Sequence, residues 1–263
     1  MEASQIYKEA LGLIDLTSLN GTDTYEKIKK MVLKTAAFHD SYPQYPLPAS
    51  ICVYPNFAKT VAENRPDKDL HVTVVGGCFP ASQSFLEVKV LECTKAVEDG
   101  ADEVDIVLAH NSFLEKNFAA AQNEIQTIGK AVKAINPSAI LKVILETGAL
   151  GQQSLIEDAS FLAMEAGADF IKTSTGKTQP AATPEAARIM CSCIKTYYKK
   201  TGIKVGFKPA GGISTPEDAV TYFNIVEEIL GAEWLNKRYF RFGASRMANN
   251  LLSALEGHDV KYY

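Results

Sequence analysis

The chain has 263 residues, of which 46% are hydrophobic and 22% charged, and its 27 basic and 31 acidic side chains leave a formal net charge of −4. That size and apolar content supply a large core, which excludes a disordered chain or a disulfide-dependent miniprotein. The acidic balance argues against nucleic acid as a partner, and no run reaches the roughly 18 consecutive apolar residues of a membrane span.

The amino terminus, Met1-Glu2-Ala3-Ser4-Gln5, lacks the basic-then-apolar pattern of a signal peptide, and the cysteine usage described below predicts a cytoplasmic protein. Short apolar runs then recur along the chain. Strands are predicted at Leu13–Leu16, Ser50–Tyr54, His71–Val75, Glu103–Leu108, Ile140–Glu146, Asp169–Thr173, Lys204–Lys208 and Tyr239–Phe242. Most are rich in Val, Ile, Leu and Phe without clean polar alternation, as in strands covered on both faces. Amphipathic helices are predicted between them at Phe85–Glu98, Phe118–Ile135, Leu155–Ala166, Pro184–Lys199 and Pro216–Leu230. Thr183-Pro184-Glu185 and Thr215-Pro216-Glu217 read as helix starts, with a hydroxyl cap, Pro in the first turn and an acid behind it. Eight strand–helix units in a chain of this length predict a single α/β domain over residues 1–263, a (β/α)8 TIM barrel, with a mobile carboxy-terminal tail over 257–263. A doubly wound open sheet of six or fewer strands would leave two apolar runs unplaced. Gly100–Asp105 and Gly167–Lys172 echo each other: a Gly ends a helix, and the fifth residue after it is ionisable.

Several chemistries find no support in the sequence. It has no G-x-G-x-x-G, and Gly176-Lys177-Thr178 fails as a P-loop because Ile171 stands where the leading Gly would fall. His39, His71, His110 and His258 are scattered without metal-ligand spacing, and His110, after the fourth strand, is assigned a structural or solvent role. The five cysteines, Cys52, Cys78, Cys93, Cys191 and Cys193, are odd in number and lack a Cys-x-x-Cys pair, which fits reduced thiols. No metal and no organic cofactor are expected.

The positive signal lies at strand ends. Lys172 and Lys208 close the sixth and seventh apolar runs rather than lying on a helix surface. Burying an ammonium costs several kcal/mol unless it is paired or neutral. Snorkelling or buried ion pairs would account for one such lysine; two on successive strands favour a functional pair. A neighbouring ammonium and desolvation together lower a lysine's pKa and free its amine for Schiff-base formation with a carbonyl. Asp105, expected at the end of the fourth strand, could relay protons through water, or form a salt bridge to a barrel lysine such as Lys142. Gly211-Gly212 after strand seven, Gly243-Ala244-Ser245 after strand eight, and Gly176-Lys177 after strand six suit the phosphate cradle usual at this end of the fold. A carbonyl-reactive lysine beside such a cradle implies a small phosphorylated sugar.

These blocks resemble the deoxyribose-phosphate aldolase family of class I, Schiff-base aldolases. The match runs through Asp15-Leu16-Thr17, Ser50–Pro55, Glu103-Val104-Asp105, Leu141–Thr147, Phe170–Lys177, Val205–Gly212 and Arg241–Ser245. The resemblance implies a (β/α)8 barrel that cleaves 2-deoxy-D-ribose 5-phosphate to D-glyceraldehyde 3-phosphate and acetaldehyde. It makes Lys172 the Schiff-base lysine, Lys208 the lysine that tunes it and Asp105 the proton donor and acceptor. Asp15, Cys52, Lys142 and Thr173 match residues that line or support the site, and Gly176, Lys177, Gly211, Gly212, Gly243 and Ser245 match the phosphate loops. Tyr263 is terminal, as is a site-entering tyrosine in the family. Two departures are Arg246, where many relatives carry a second Ser, and Ser214, where some carry Arg; Arg246 either supplies charge to a phosphate or faces outward. Another Schiff-base aldolase or transaldolase on a different phosphosugar, or a sugar-phosphate-binding barrel without turnover, would share the physics. A homodimer is compatible with the sequence, which leaves the oligomeric state open.

Overall fold

The computed structural model describes residues 2–263. Its eight parallel strands are β1 (Ile14–Thr17), β2 (Ser50–Val53), β3 (His71–Gly76), β4 (Glu103–Val107), β5 (Ile140–Ile144), β6 (Phe170–Lys172), β7 (Gly206–Lys208) and β8 (Phe242–Ala244). They run in the order β7-β6-β5-β4-β3-β2-β1-β8. The two outer strands meet through the parallel bridges Phe207–Phe240 and Ala210–Gly243, and Gly243 N–H donates to the Pro209 carbonyl at 2.9 Å. The sheet thus closes on itself and helices alternate with its strands: the expected (β/α)8 barrel.

Local chemistry starts the helices where the sequence places them. The Thr183 side chain accepts from Ala186 N–H at 3.2 Å, and Thr215 and Asp218 cap each other reciprocally at the head of the helix Pro216–Ile229. The eighth strand lies later than expected. The Asn236 carbonyl accepts from the N–H groups of Tyr239 and Phe240 at 3.0 and 2.9 Å, which keeps Tyr239 in a turn. Its apolarity serves an aromatic contact with Trp234 rather than a strand. Gly243 and Ala244 therefore lie within β8 and only Ser245 follows it, while Asp105 stands in the middle of β4 rather than at its end.

Alternation along the strands separates two interiors. Leu16, Ile51, Val74, Val104, Ile106, Leu141, Val143, Ile171 and Phe207 face the helices and join the main apolar core. The intervening positions point into the barrel and are largely polar: Asp15, Ser50, Thr73, Glu103, Asp105, Lys142, Lys172, Lys208 and Arg241, all buried.

The last residues dock outside the barrel. Tyr263 N–H donates to Asn249 Oδ1 at 2.8 Å, its ring stacks on Phe38 at 5.5 Å, and Tyr262 Oη donates to the Lys34 carbonyl at 2.7 Å. Tyr263 is thus held in an aromatic cluster on the helical layer and not in the barrel mouth where the resemblance would bring it. Among the described residues no helix is long and apolar enough to cross a membrane.

Candidate active site

A ladder of buried charges runs through the barrel interior. At its lower end the Arg241 guanidinium donates to Asp15 Oδ1 at 2.6 Å and to Glu103 Oε1 at 2.8 Å, and His71 Nδ1 lies 2.6 Å from the same Glu103 oxygen. One step higher, Lys142 Nζ touches Glu103, donates to Asp105 Oδ1 at 2.9 Å and lies 3.5 Å from Asp15 Oδ2. At the top, Lys172 Nζ and Lys208 Nζ both donate to Asp105 Oδ2, at 2.8 and 2.7 Å, and Lys208 also reaches Asp15 at 2.5 Å. Sharing one oxygen holds the two lysine nitrogens within the sum of those distances of each other. The register pairs Lys172 with Lys208 across β6 and β7 and Asp105 with Lys142 across β4 and β5.

Counting charges decides which group is out of balance. Lys142, Lys172, Lys208 and Arg241 face three carboxylates, Asp15, Glu103 and Asp105. Lys142 meets all three carboxylates, Lys208 and Arg241 meet two each, and Lys172 meets only Asp105. Lys172 is therefore the cation least able to hold its proton. Burial pushes its pKa down and the Lys208 charge pushes the same way, against the opposing pull of Asp105. Burial also works against the Lys208 charge, but Asp105 and Asp15 outweigh it and hold that ammonium well above the usual range. The carboxylates answer in kind: burial would raise them, yet the lysines and Arg241 hold Asp15 down to about 2 and keep Asp105 further below its ordinary value. Burial raises the Cys52 thiol, with Asp105 adding to the effect.

Above Lys172 opens a cavity of about 420 Å³. Of the sequence-predicted polar residues of the barrel interior only Lys172 borders it; Asp15, Cys52, Asp105, Lys142 and Lys208 lie beneath, fully buried. The expected convergence of Lys142, Lys172, Lys177 and Lys208 at one mouth is thus split by depth. Lys142 sits one layer down, where three carboxylates neutralise it. Lys177 lies out on the rim, its Nζ donating to the Leu19 carbonyl at 2.5 Å. Thr173 supports rather than lines: its hydroxyl donates to the Ala210 carbonyl at 3.3 Å and accepts from Ala210 N–H at 3.0 Å, tying the ends of β6 and β7 together.

The glycine loops form the far wall. Gly176, Gly211, Gly212, Gly243 and Ser245 all border the cavity, as does Arg246 at the head of the final helix, Arg246–Glu256. Gly211 has φ +84°, and a Cβ there would come within 2.7 Å of Ala181 Cβ and 2.9 Å of Gly176 Cα. The two loops can approach this closely only because residue 211 is glycine. A Cβ on Gly243 would meet Ala210 Cβ at 2.6 Å and the Lys208 stem at 3.2 Å. Ser245 caps the final helix without a side-chain hydrogen bond to it, so the head of that helix, with its unpaired N–H groups, borders the cavity.

The sequence reading left out Glu103, Arg241 and His71 as members of the ladder. A signal existed: in a period-two strand Glu103 shares the inward face of Asp105, and Arg241 that of Gly243. It also missed Glu146, whose carboxylate accepts from Thr175 Oγ1 at 2.5 Å and Thr175 N–H at 3.2 Å and so fixes the loop that carries Gly176 and Lys177. His110 has the structural place expected of it, with Nε2 2.9 Å from the Leu145 carbonyl.

Comparison with known proteins gives the family. A model of the DeoC/LacD family aldolases matches residues 10–224. A Caenorhabditis elegans protein is 41% identical over 250 residues, covering 94% of this chain and 81% of its own length. A crystal structure from Coccidioides immitis is 29% identical with a TM-score of 0.76, covering 97% of this chain and 87% of its own. Both carry the name putative deoxyribose-phosphate aldolase. A tetrameric deoxyribose phosphate aldolase from Aeropyrum pernix shares the fold, with a TM-score of 0.73 at 24% identity over 96% of each chain.

Proposed function

The chain belongs to the DeoC/LacD family of aldolases, and on that premise we propose that it cleaves 2-deoxy-D-ribose 5-phosphate reversibly to D-glyceraldehyde 3-phosphate and acetaldehyde through a Schiff base on Lys172. The observation that carries this reading is the charge imbalance: of the four described cations of the barrel ladder, Lys172 is the one with a single carboxylate partner, and it opens onto the cavity.

The chemistry follows from that state. The neutral Lys172 amine adds to C1 of the open-chain sugar, and loss of water leaves an iminium. As a base removes the C3 hydroxyl proton, the C2–C3 bond breaks and its electron pair passes to the iminium nitrogen, giving an enamine and free D-glyceraldehyde 3-phosphate. Protonation at C2 and hydrolysis then release acetaldehyde and the lysine. Asp105 rests ionised, so it enters as a base, and the proton returned to C2 travels through water from the Asp105–Lys208 pair. Asp15 and Lys142 hold that pair in place, Cys52 closes the interior beside it, and Thr173 fixes the loop behind it. Gly176, Lys177, Gly211, Gly212, Gly243 and Ser245 cradle the phosphate, with Arg246 adding charge from the head of the last helix.

Borohydride reduction in the presence of deoxyribose phosphate, followed by peptide mapping, tests the assignment. A stable adduct on Lys172 is expected; an adduct on another lysine, or none, would sink it.

Two coarser features fit the same reading. All five cysteines are unpaired, and Cys52, Cys93, Cys191 and Cys193 are buried, which suits a reducing, cytoplasmic compartment. Self-association as a homodimer is supported by a strip of exposed apolar side chains at Phe85, Val88, Leu91, Leu114 and Phe118. A monomer mass in sedimentation equilibrium at micromolar concentration would set the dimer aside.

A further inference from the structure

The barrel carries a second cavity at its other end, where the strands begin. It has a volume of about 520 Å³, within the range of small-molecule sites. Lys133, Lys204, Lys237, Arg238 and Arg241 line it, against the single carboxylate of Asp169. In a protein of net charge −4 this is a concentrated basic surface.

Three of the five cations are already engaged. Lys133 pairs with Asp169 at 2.8 Å, Lys237 with Asp69 at 2.5 Å, and Arg241 with Asp15 and Glu103. Lys204 and Arg238 are different: among the described residues neither has a carboxylate within 4.0 Å. Lys204 Nζ instead stands 4.4 Å from the Trp234 ring centroid, 5.3 Å from Tyr239 and 5.8 Å from Tyr198. The Arg238 guanidinium lies 5.6 Å from the Tyr239 centroid, so both cations approach the same ring. Aromatic faces steady a cation but accept none of its N–H groups in line, so both side chains keep donors to offer. The aromatic box also fixes the Lys204 stem, which lowers the entropy lost when its ammonium meets a ligand.

We infer that this floor cavity is a second anion site, separate from the aldolase centre, which takes a small phosphate-bearing ligand between Lys204 and Arg238. A fork of guanidinium donors and a point-charge ammonium lining one cavity suit the spread oxygens of a phosphate or pyrophosphate group.

Calorimetric titration with inorganic pyrophosphate at fixed ionic strength tests this, with the mouth first weakened by Lys177→Ala. Binding should persist in that variant. It should weaken at least about tenfold, a loss of about 1.4 kcal/mol, when Lys204→Gln and Arg238→Ala are added. Far-UV circular dichroism and a urea midpoint that match those of Lys177→Ala show that the combined variant is still folded. No binding in Lys177→Ala, or equal binding with and without the two floor substitutions, overturns the inference.

Discussion

Replacing Lys208 by leucine removes one cation from the ladder and should leave Lys172 protonated. No carboxylate is orphaned, because Asp105 keeps Lys142 and Lys172, and Asp15 keeps Arg241 and Lys142. Three cations then face three carboxylates, and Lys172 no longer has a neighbour that repels its charge. At the roughly 5 Å separation permitted by a shared oxygen, and an effective dielectric of about 20, the lost repulsion is about 3 kcal/mol, or roughly a hundredfold in the Lys172 protonation equilibrium. The sign is upward, since loss of a like charge favours the ammonium. The midpoint of the pH dependence of borohydride-trapped adduct should therefore rise by about two pH units, with turnover at neutral pH falling in proportion. The assay is adduct yield by mass spectrometry from pH 5 to 10, with circular dichroism to establish folding. A folded Lys208→Leu protein whose midpoint stays at the wild-type value refutes the charge-balance argument.

Gly243→Ala places a methyl 2.6 Å from Ala210 Cβ and 3.2 Å from the Lys208 stem. It should cost about 1–3 kcal/mol in urea unfolding and lower kcat by displacing Lys208; an unchanged unfolding midpoint counts against the close approach. Arg246→Ala should raise KM for the phosphorylated sugar by about tenfold or more with kcat little changed, and spare unphosphorylated deoxyribose; equal effects on both substrates would remove Arg246 from phosphate binding. Asp15 falls from 3.8 to about 2 on folding, and Asp105 and Glu103 fall as well. The unfolded chain therefore binds more protons in acid, and the stability these groups contribute is complete above their ordinary carboxylate range and lost as pH drops through about 2. A urea midpoint that stays flat from pH 4 to pH 2 would contradict the ladder.

The barrel was legible because helix-facing strand positions carry long apolar runs, and these mark β2 to β5 within a residue or two. The eighth strand was placed early because Tyr239 looks like a strand residue, while the Asn236 carbonyl holds its N–H in a turn and Phe240 makes only an isolated bridge to Phe207. Lys172, Lys208 and Asp105 stood out as charges in apolar runs, and the structure brings them onto one carboxylate oxygen. Arg241 was harder to see. Its partners Asp15 and Glu103 lie 226 and 138 residues away along the chain, and only closure of the barrel brings them together. Depth was also hidden, since Lys142 and Lys172 look alike in sequence while one is surrounded by carboxylates and the other is nearly free of them.

The ladder also bears on any attempt to make this protein hardier. Buried ion pairs seldom stabilise a fold more than well-packed apolar side chains of the same volume. Filling the positions of Asp15, Glu103, Lys142 and Arg241 with leucine and methionine should raise the melting temperature. The surplus of one cation would remain, because two cations and two carboxylates leave together. Lys208 would lose Asp15, however, and share Asp105 alone with Lys172, so nothing would single out Lys172 as the lysine that gives up its proton. Thermal stability and reactivity compete here for the same few side chains, so a stabilised variant should be sought in the helical layer, with the barrel interior left as it is.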